Sequence, residues 1–124
     1  NAIKVIPLVG PSAIFLALMG SGLNGQRFAF HGYLPIQRKE AAKAIQTLEK
    51  ECKLKNQTQI FIETPYRNNQ LFANLLQHLS SETLLCVALD ITGETEFIRT
   101  DRVTNWRLQT IELPKSAAVF LFLA

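Results

Sequence analysis

Gln59-Ile60-Phe61-Ile62-Glu63-Thr64-Pro65-Tyr66-Arg67-Asn68-Asn69-Gln70-Leu71-Phe72-Ala73-Asn74-Leu75-Leu76 contains the change of period on which the fold turns. Ile60, Phe61 and Ile62 are β-branched or aromatic, so residues 59–63 read as a strand that ends on a carboxylate. Thr64-Pro65 then resembles an N-cap followed by proline in the first helical turn. Beyond it, Leu71, Phe72, Leu75, Leu76 and Leu79 recur as the buried stripe of a helix. A strand running straight into an amphipathic helix is the unit from which α/β proteins are built.

Upstream, Ala41, Ile45, Leu48 and Cys52 recur at helical spacing with Lys and Glu between them, so residues 38–53 form an amphipathic helix packing on something flat. Residues 27–31 alternate as a strand. Gly20, Gly22 and Gly25 end an apolar helix over residues 13–19, which Gly10-Pro11-Ser12 opens, and residues 3–8 read as a further strand. Downstream, residues 84–90 are an apolar run ending in Asp90. Residues 93–100 read as a loop and short strand, 101–106 as a brief turn or helix, and 117–123 as a last strand buried on both faces. Alternating strands and helices specify an α/β fold, a mixed sheet flanked by helices. The glycine passage is the expected boundary, dividing the chain into 1–25 and 26–124. Asn1-Ala2 resembles the scar of a cleaved tag, and the apolar end at Phe122-Leu123-Ala124 resembles an excised fragment.

Composition excludes more than it assigns. With 48% apolar and 19% charged residues the chain is neither disordered nor collagen-like. The net charge of +3, from 13 basic and 10 acidic residues, permits a polyanionic partner, yet no segment clusters Lys and Arg as phosphate tracking usually requires. Cys52 and Cys86 lie in apolar patterns without a CxxC or a nearby His pair, so they read as buried reduced thiols and no metal is expected. The longest apolar stretch, residues 116–124, is far shorter than the ~20 residues of a membrane helix. A cytoplasmic protein with no membrane association is the expectation.

Three strings in order, VIPLVGPSAIFLALMGSGL (residues 5–23), FAFHGYLP (28–35) and IFIETPYRNNQLFANLL (60–76), resemble the tetrapyrrole-methylase superfamily, and within it the ribosomal RNA small-subunit methyltransferase I group. That group has Ser-Ala opening a helix after a Pro-Gly-Pro segment, then Ser-Gly-Leu, Phe-x-Phe-x-Gly-Phe-Leu-Pro, and Glu-Ser-Pro-His-Arg at a strand-to-helix junction. Two segments depart from the pattern. Leu89-Asp90-Ile91-Thr92-Gly93 stands where the group has Arg-Glu-Leu-Thr-Lys, so both basic residues are lost, and Pro114-Lys115-Ser116-Ala117 replaces a Gly-Glu opening of the last strand. The resemblance implies the C-terminal part of a two-domain methyltransferase, expected to be a homodimer when whole. It also implies an S-adenosylmethionine cofactor between the domains, and hence only one wall of the cofactor cleft in this chain. The acceptor would be RNA, at a ribose hydroxyl in rRNA processing, or alternatively a tetrapyrrole or another acceptor. A domain that binds a ligand or protein without catalysis is the remaining alternative.

The candidate residues follow from both lines. The residues themselves allow Ser12 and Ala13 to be a plain N-cap or a helix N-terminus approached by a ligand, and the resemblance makes them cofactor contacts. Glu63 closes a strand, where ligands collect in open α/β sheets, and matches a further cofactor contact. Tyr66 and Arg67 follow it, an aromatic ring able to stack on a base or macrocycle and a guanidinium able to grip a phosphate or carboxylate, or else ordinary surface residues. Asp90 is expected at the end of the strand neighbouring that of Glu63, so that two carboxylates share one edge as cofactor ligands or as a general base. Ile91 and Thr92 fall nearest the family's later cofactor contact. His31 is a possible base by its titration range but more often such a residue is partly buried beside an aromatic, here Tyr33. His78 is expected to face solvent and Trp106 to anchor packing.

Overall fold

A computed structural model describes residues 11–91 and 93–124, with positions 11 and 12 described by their backbone. The strand expected over residues 3–8 lies outside that range. Nine elements follow in order: α1 (Pro11–Ser21), β1 (Phe28–Tyr33), α2 (Arg38–Lys55), β2 (Thr58–Glu63), α3 (Asn68–His78), β3 (Leu84–Leu89), β4 (Phe97–Arg102), α4 (Val103–Arg107) and β5 (Ala118–Leu123). One five-stranded sheet has the order β1-β2-β5-β3-β4. β1 pairs parallel with β2, whereas β5 runs antiparallel to both its neighbours and β4 antiparallel to β3. The sheet is therefore mixed, with β1, β2 and β3 all running one way.

Side-chain alternation divides the core into two layers. Phe61, Leu85, Val87, Leu89, Phe120 and Phe122 point to the face covered by α2, α3 and α4. Ile60, Cys86, Ala88, Val119 and Leu121 point to the other, where Ile14, Ala17 and Leu18 of α1 cover them. β5 carries large apolar side chains on both faces, as a central strand requires. Trp106 is wholly buried, its indole N–H donating to the Leu85 carbonyl at 2.9 Å and its ring meeting Phe72 edge-on, so α4 is anchored as expected of that residue. Both cysteines are free and buried, and burial pushes the Cys86 thiol up to about 11.

Three departures from the sequence expectation have a local cause. α3 begins at Asn68 rather than at Pro65, because residues 64–67 close a turn, with Arg67 N–H on the Thr64 carbonyl at 3.1 Å. The first residues of the helix are instead committed to a clamp. Asn68 Nδ2 donates to the carbonyls of Pro114 and Ser116, and Asn69 exchanges two bonds with the Leu113 backbone. β4 runs on to Arg102, since all six of its residues find partners on β3. The β1 ladder is irregular between Phe30 and Tyr33, where Gly32 takes a φ of 70° that favours glycine.

The turn from α3 to β3 is held by a carboxylate. Glu49 of α2 is buried and accepts the Ser80 N–H at 2.9 Å, the Ser80 hydroxyl at 3.3 Å and the Thr83 hydroxyl at 2.5 Å. Arg107 completes the junction by donating to the carbonyls of Leu76 and Leu79 at the end of α3. Removing a buried acceptor strands its donors, at about 1–3 kcal/mol each for those left dry. Glu49→Ala is therefore expected to lower stability by roughly 2–4 kcal/mol in urea unfolding, and more than Glu49→Gln does. A loss below ~0.5 kcal/mol would show that the cluster contributes nothing.

Candidate functional site

The C-terminal ends of β1, β2 and β3 emerge on one edge of the sheet, where ligands gather in α/β folds. The register aligns Glu63 with Ala118, Ala118 with Leu89, and Leu89 with Phe97. β5 thus separates β2 from β3. This corrects the expectation that Glu63 and Asp90 end neighbouring strands: two strand spacings, each ~4.8 Å, intervene. The cause is the return of β5 into the gap that the α3 crossover leaves.

Glu63 is only 6% exposed, and its Oε1 accepts the Thr64 N–H at 2.8 Å and Arg67 Nε at 3.2 Å. The turn over residues 64–67 brings Arg67 back over the strand end, so the pair is built locally from positions i and i+4. Arg67 remains partly exposed and its two terminal nitrogens meet no partner among the described residues. Tyr66, by contrast, is 87% exposed and presents its ring to solvent beside them.

A small cleft opens on the α2/α3 side of this edge, bordered by Arg38, Glu63, Arg67, Gln70 and Asn74 with Ile36 at its rim. Its volume of about 10 Å³ accommodates one water-sized group. Sequence reading missed Arg38 and Asn74, which looked like the polar face of two helices. The signal that locates them is topological: in a βαβ unit the helix starts where the preceding strand ends, so Arg38 must lie at the edge that carries Glu63.

The other candidates do not join this cluster. Ala13 is half-buried near the start of α1, and Ile91 packs with the α1 layer. They belong to the opposite face from Glu63, which follows Phe61 on the α2/α3 side. Ser12 lies within α1, and its side chain and Thr92 fall outside the described residues. His31 is exposed rather than partly buried, and shares a 2.5 Å hydrogen bond with Gln59. β1 is an outer strand of the sheet among the described residues. His78 is half-buried at the end of α3 rather than fully solvent-facing. No group of metal-ligating side chains occurs among the described residues, and no helix there is long and apolar enough to cross a membrane.

Asp90 is used within its own loop. It takes a φ of 48°, and its Oδ2 accepts the Thr95 hydroxyl and the Thr95 N–H, while its carbonyl accepts the Gly93 N–H. A side chain at Gly93 would run into the Asp90 carboxyl group. These bonds, the Thr95 hydroxyl foremost, hold the Asp90 carboxyl below its ordinary range, which favours a charged loop closer over a proton acceptor. A depressed folded-state pKa stabilises the fold above the unfolded value of about 3.9 and ceases to as pH falls through the folded one. An NMR titration of the Asp90 carboxyl should give a value below ordinary aspartate that Thr95→Ala returns towards it. An unshifted value in the unmodified chain would refute the closure.

No family model matches the sequence. Among curated proteins, the chain is 35% identical over 105 residues to the Ribosomal RNA small subunit methyltransferase I of Pasteurella multocida, covering 85% of this chain and 36% of that protein. It is 33% identical over 96 residues to the protein of the same name from Buchnera aphidicola subsp. Schizaphis graminum, covering 77% of this chain and 32% of the relative. The chain therefore spans about a third of the length of these relatives. Among solved structures, the methyltransferase CobJ superposes with a TM-score of 0.57 at 16% identity, over 86% of this chain and 45% of that one. A diphthine synthase superposes with a TM-score of 0.53 at 15% identity, over 90% and 45%. In sequence the chain is homologous to part of the Ribosomal RNA small subunit methyltransferase I proteins, and it has the tetrapyrrole-methylase fold that it shares with CobJ and diphthine synthase.

Proposed function

We propose that this chain is part of an S-adenosylmethionine-dependent methyltransferase that modifies a ribose hydroxyl of small-subunit ribosomal RNA in the cytoplasm. The observation that carries the reading is the 35% identity over 105 residues to a protein named for that substrate. When bound, S-adenosylmethionine would supply an electrophilic methyl on its sulfonium, which the acceptor oxygen would take as the carbon–sulfur bond breaks, the neutral thioether leaving as S-adenosylhomocysteine and the hydroxyl proton passing to solvent. The residues present fit such a cofactor in part. Glu63 keeps Oε2 without a partner among the described residues at the strand end, and Ile91 offers an apolar surface at the same edge. Asp90 fits less well, being engaged by Thr95.

What this chain contributes by itself is positioning. Glu63 fixes the Arg67 guanidinium, and Arg67 with Arg38 offers positive charge to a phosphate-bearing acceptor. Tyr66 offers an exposed ring to a base. The homodimer reading of the whole protein draws on the exposed Phe15 and Met19 of α1, which are apolar residues at a surface. Mapping of 2′-O-methyl groups by mass spectrometry in small-subunit RNA from cells lacking the gene tests the reading. One ribose position should lose its methyl group and regain it when the whole protein is supplied; an unchanged map would sink the ribosomal assignment.

A further inference from the structure

We infer that the cleft between the start of α2 and the first two turns of α3 is a ribose-phosphate subsite for the RNA strand. Arg38 and Arg67 take a backbone phosphate at its rim, and Asn74 takes the adjoining 2′-hydroxyl inside. The inference rests on the RNA reading above, and deepens it.

Three independent observations meet at this place. The 18-residue α2 begins here without a side-chain cap: Gln37 is extended, and the first helical bond is Ala41 N–H to the Gln37 carbonyl at 2.9 Å. The amides of Arg38, Lys39 and Glu40 are therefore open, and the helix end is a favourable place for an anion. Two guanidinium groups border the same cleft, while its one bordering carboxylate, Glu63, is already paired with Arg67. Arg38 is steadied by a 3.3 Å bond from its terminal nitrogen to Gln77 Oε1.

The third observation is inside. Asn74 is only 2% exposed; its Nδ2 donates to the Arg38 carbonyl at 3.2 Å, and its Oδ1 has no partner among the described residues. A buried amide oxygen without a donor costs stability, so a ligand that brings a hydroxyl to it is favoured. The volume of about 10 Å³ admits one such group and no ring, so the rest of the ligand must stay at the rim. A phosphate beside a hydroxyl is the repeating chemistry of RNA, and DNA lacks the second group.

The test measures binding of the intact protein to a fluorescent single-stranded oligoribonucleotide of mixed sequence, against the DNA strand of the same sequence, over a range of salt. Circular dichroism checks that each variant is folded. RNA is expected to bind several-fold more tightly than DNA. Arg38→Gln should reduce the salt slope by about 0.7, the loss of one phosphate contact on a single strand, whereas Lys39→Gln, with the same charge change off the cleft, should reduce it by less than half as much. Equal slopes for the two variants would overturn the cleft while leaving the RNA reading intact. Equal affinity for RNA and DNA would overturn the role of Asn74. If the RNA does not bind but pyrophosphate shifts the Arg38 and Arg67 guanidinium signals in NMR spectra, the RNA reading falls and a phosphate site of another kind remains.

Discussion

β5 is buried on both faces and hydrogen-bonded on both edges, and almost everything else is arranged to admit it between β2 and β3. A strand in that position must satisfy its backbone from two neighbours, so the parallel strands β2 and β3 are held apart by one strand width and joined only over α3. Its aromatic residues Phe120 and Phe122 then fill the layer beneath α2 and α3, where both pack against Phe61. The α1 layer receives Val119 and Leu121. Without β5 neither layer would close.

The entry of β5 is also where the site and the core are coupled. Asn68 and Asn69 hold residues 113–116 at the moment the chain turns into the sheet, and they are the first two residues of the helix that follows Arg67. A displacement of that loop would move the start of α3 and with it the guanidinium over Glu63. Polar side chains at a helix start commonly serve as caps for their own helix. Here they serve another segment, which explains why α3 begins later than its Thr-Pro signal indicates.

The alternation of strands and helices was legible because each amphipathic helix and each apolar strand has its own period. Trp106 and the two cysteines were legible from type alone, since large or apolar side chains in apolar patterns go inside. The neighbour relations of the strands were not. Residues 84–90 and 117–123 look alike as apolar runs, and nothing local in either states that the later one lies between the earlier one and β2. The same gap explains the site. Glu63 and Arg67 are close in sequence and stand out singly there, one as a strand end and one in the turn after it, whereas Arg38 and Asn74 meet them only through the crossover. Glu49 was hidden for a different reason, because a carboxylate on a helix with lysines around it reads as a solvated face until the turn it binds is known.

The irregularity near Gly32 bears on how the sheet behaves towards other chains. Among the described residues β1 and β4 are the outer strands, and the amides and carbonyls along such an edge invite a further strand to add, the route by which many proteins polymerise. Along β1 the break between Phe30 and Tyr33 interrupts the even comb of donors and acceptors that such a strand would have to match. Along β4, Arg99, Asp101 and Arg102 place charges that an added strand would have to desolvate. A kink on one side and charge on the other guard this mixed sheet against runaway growth.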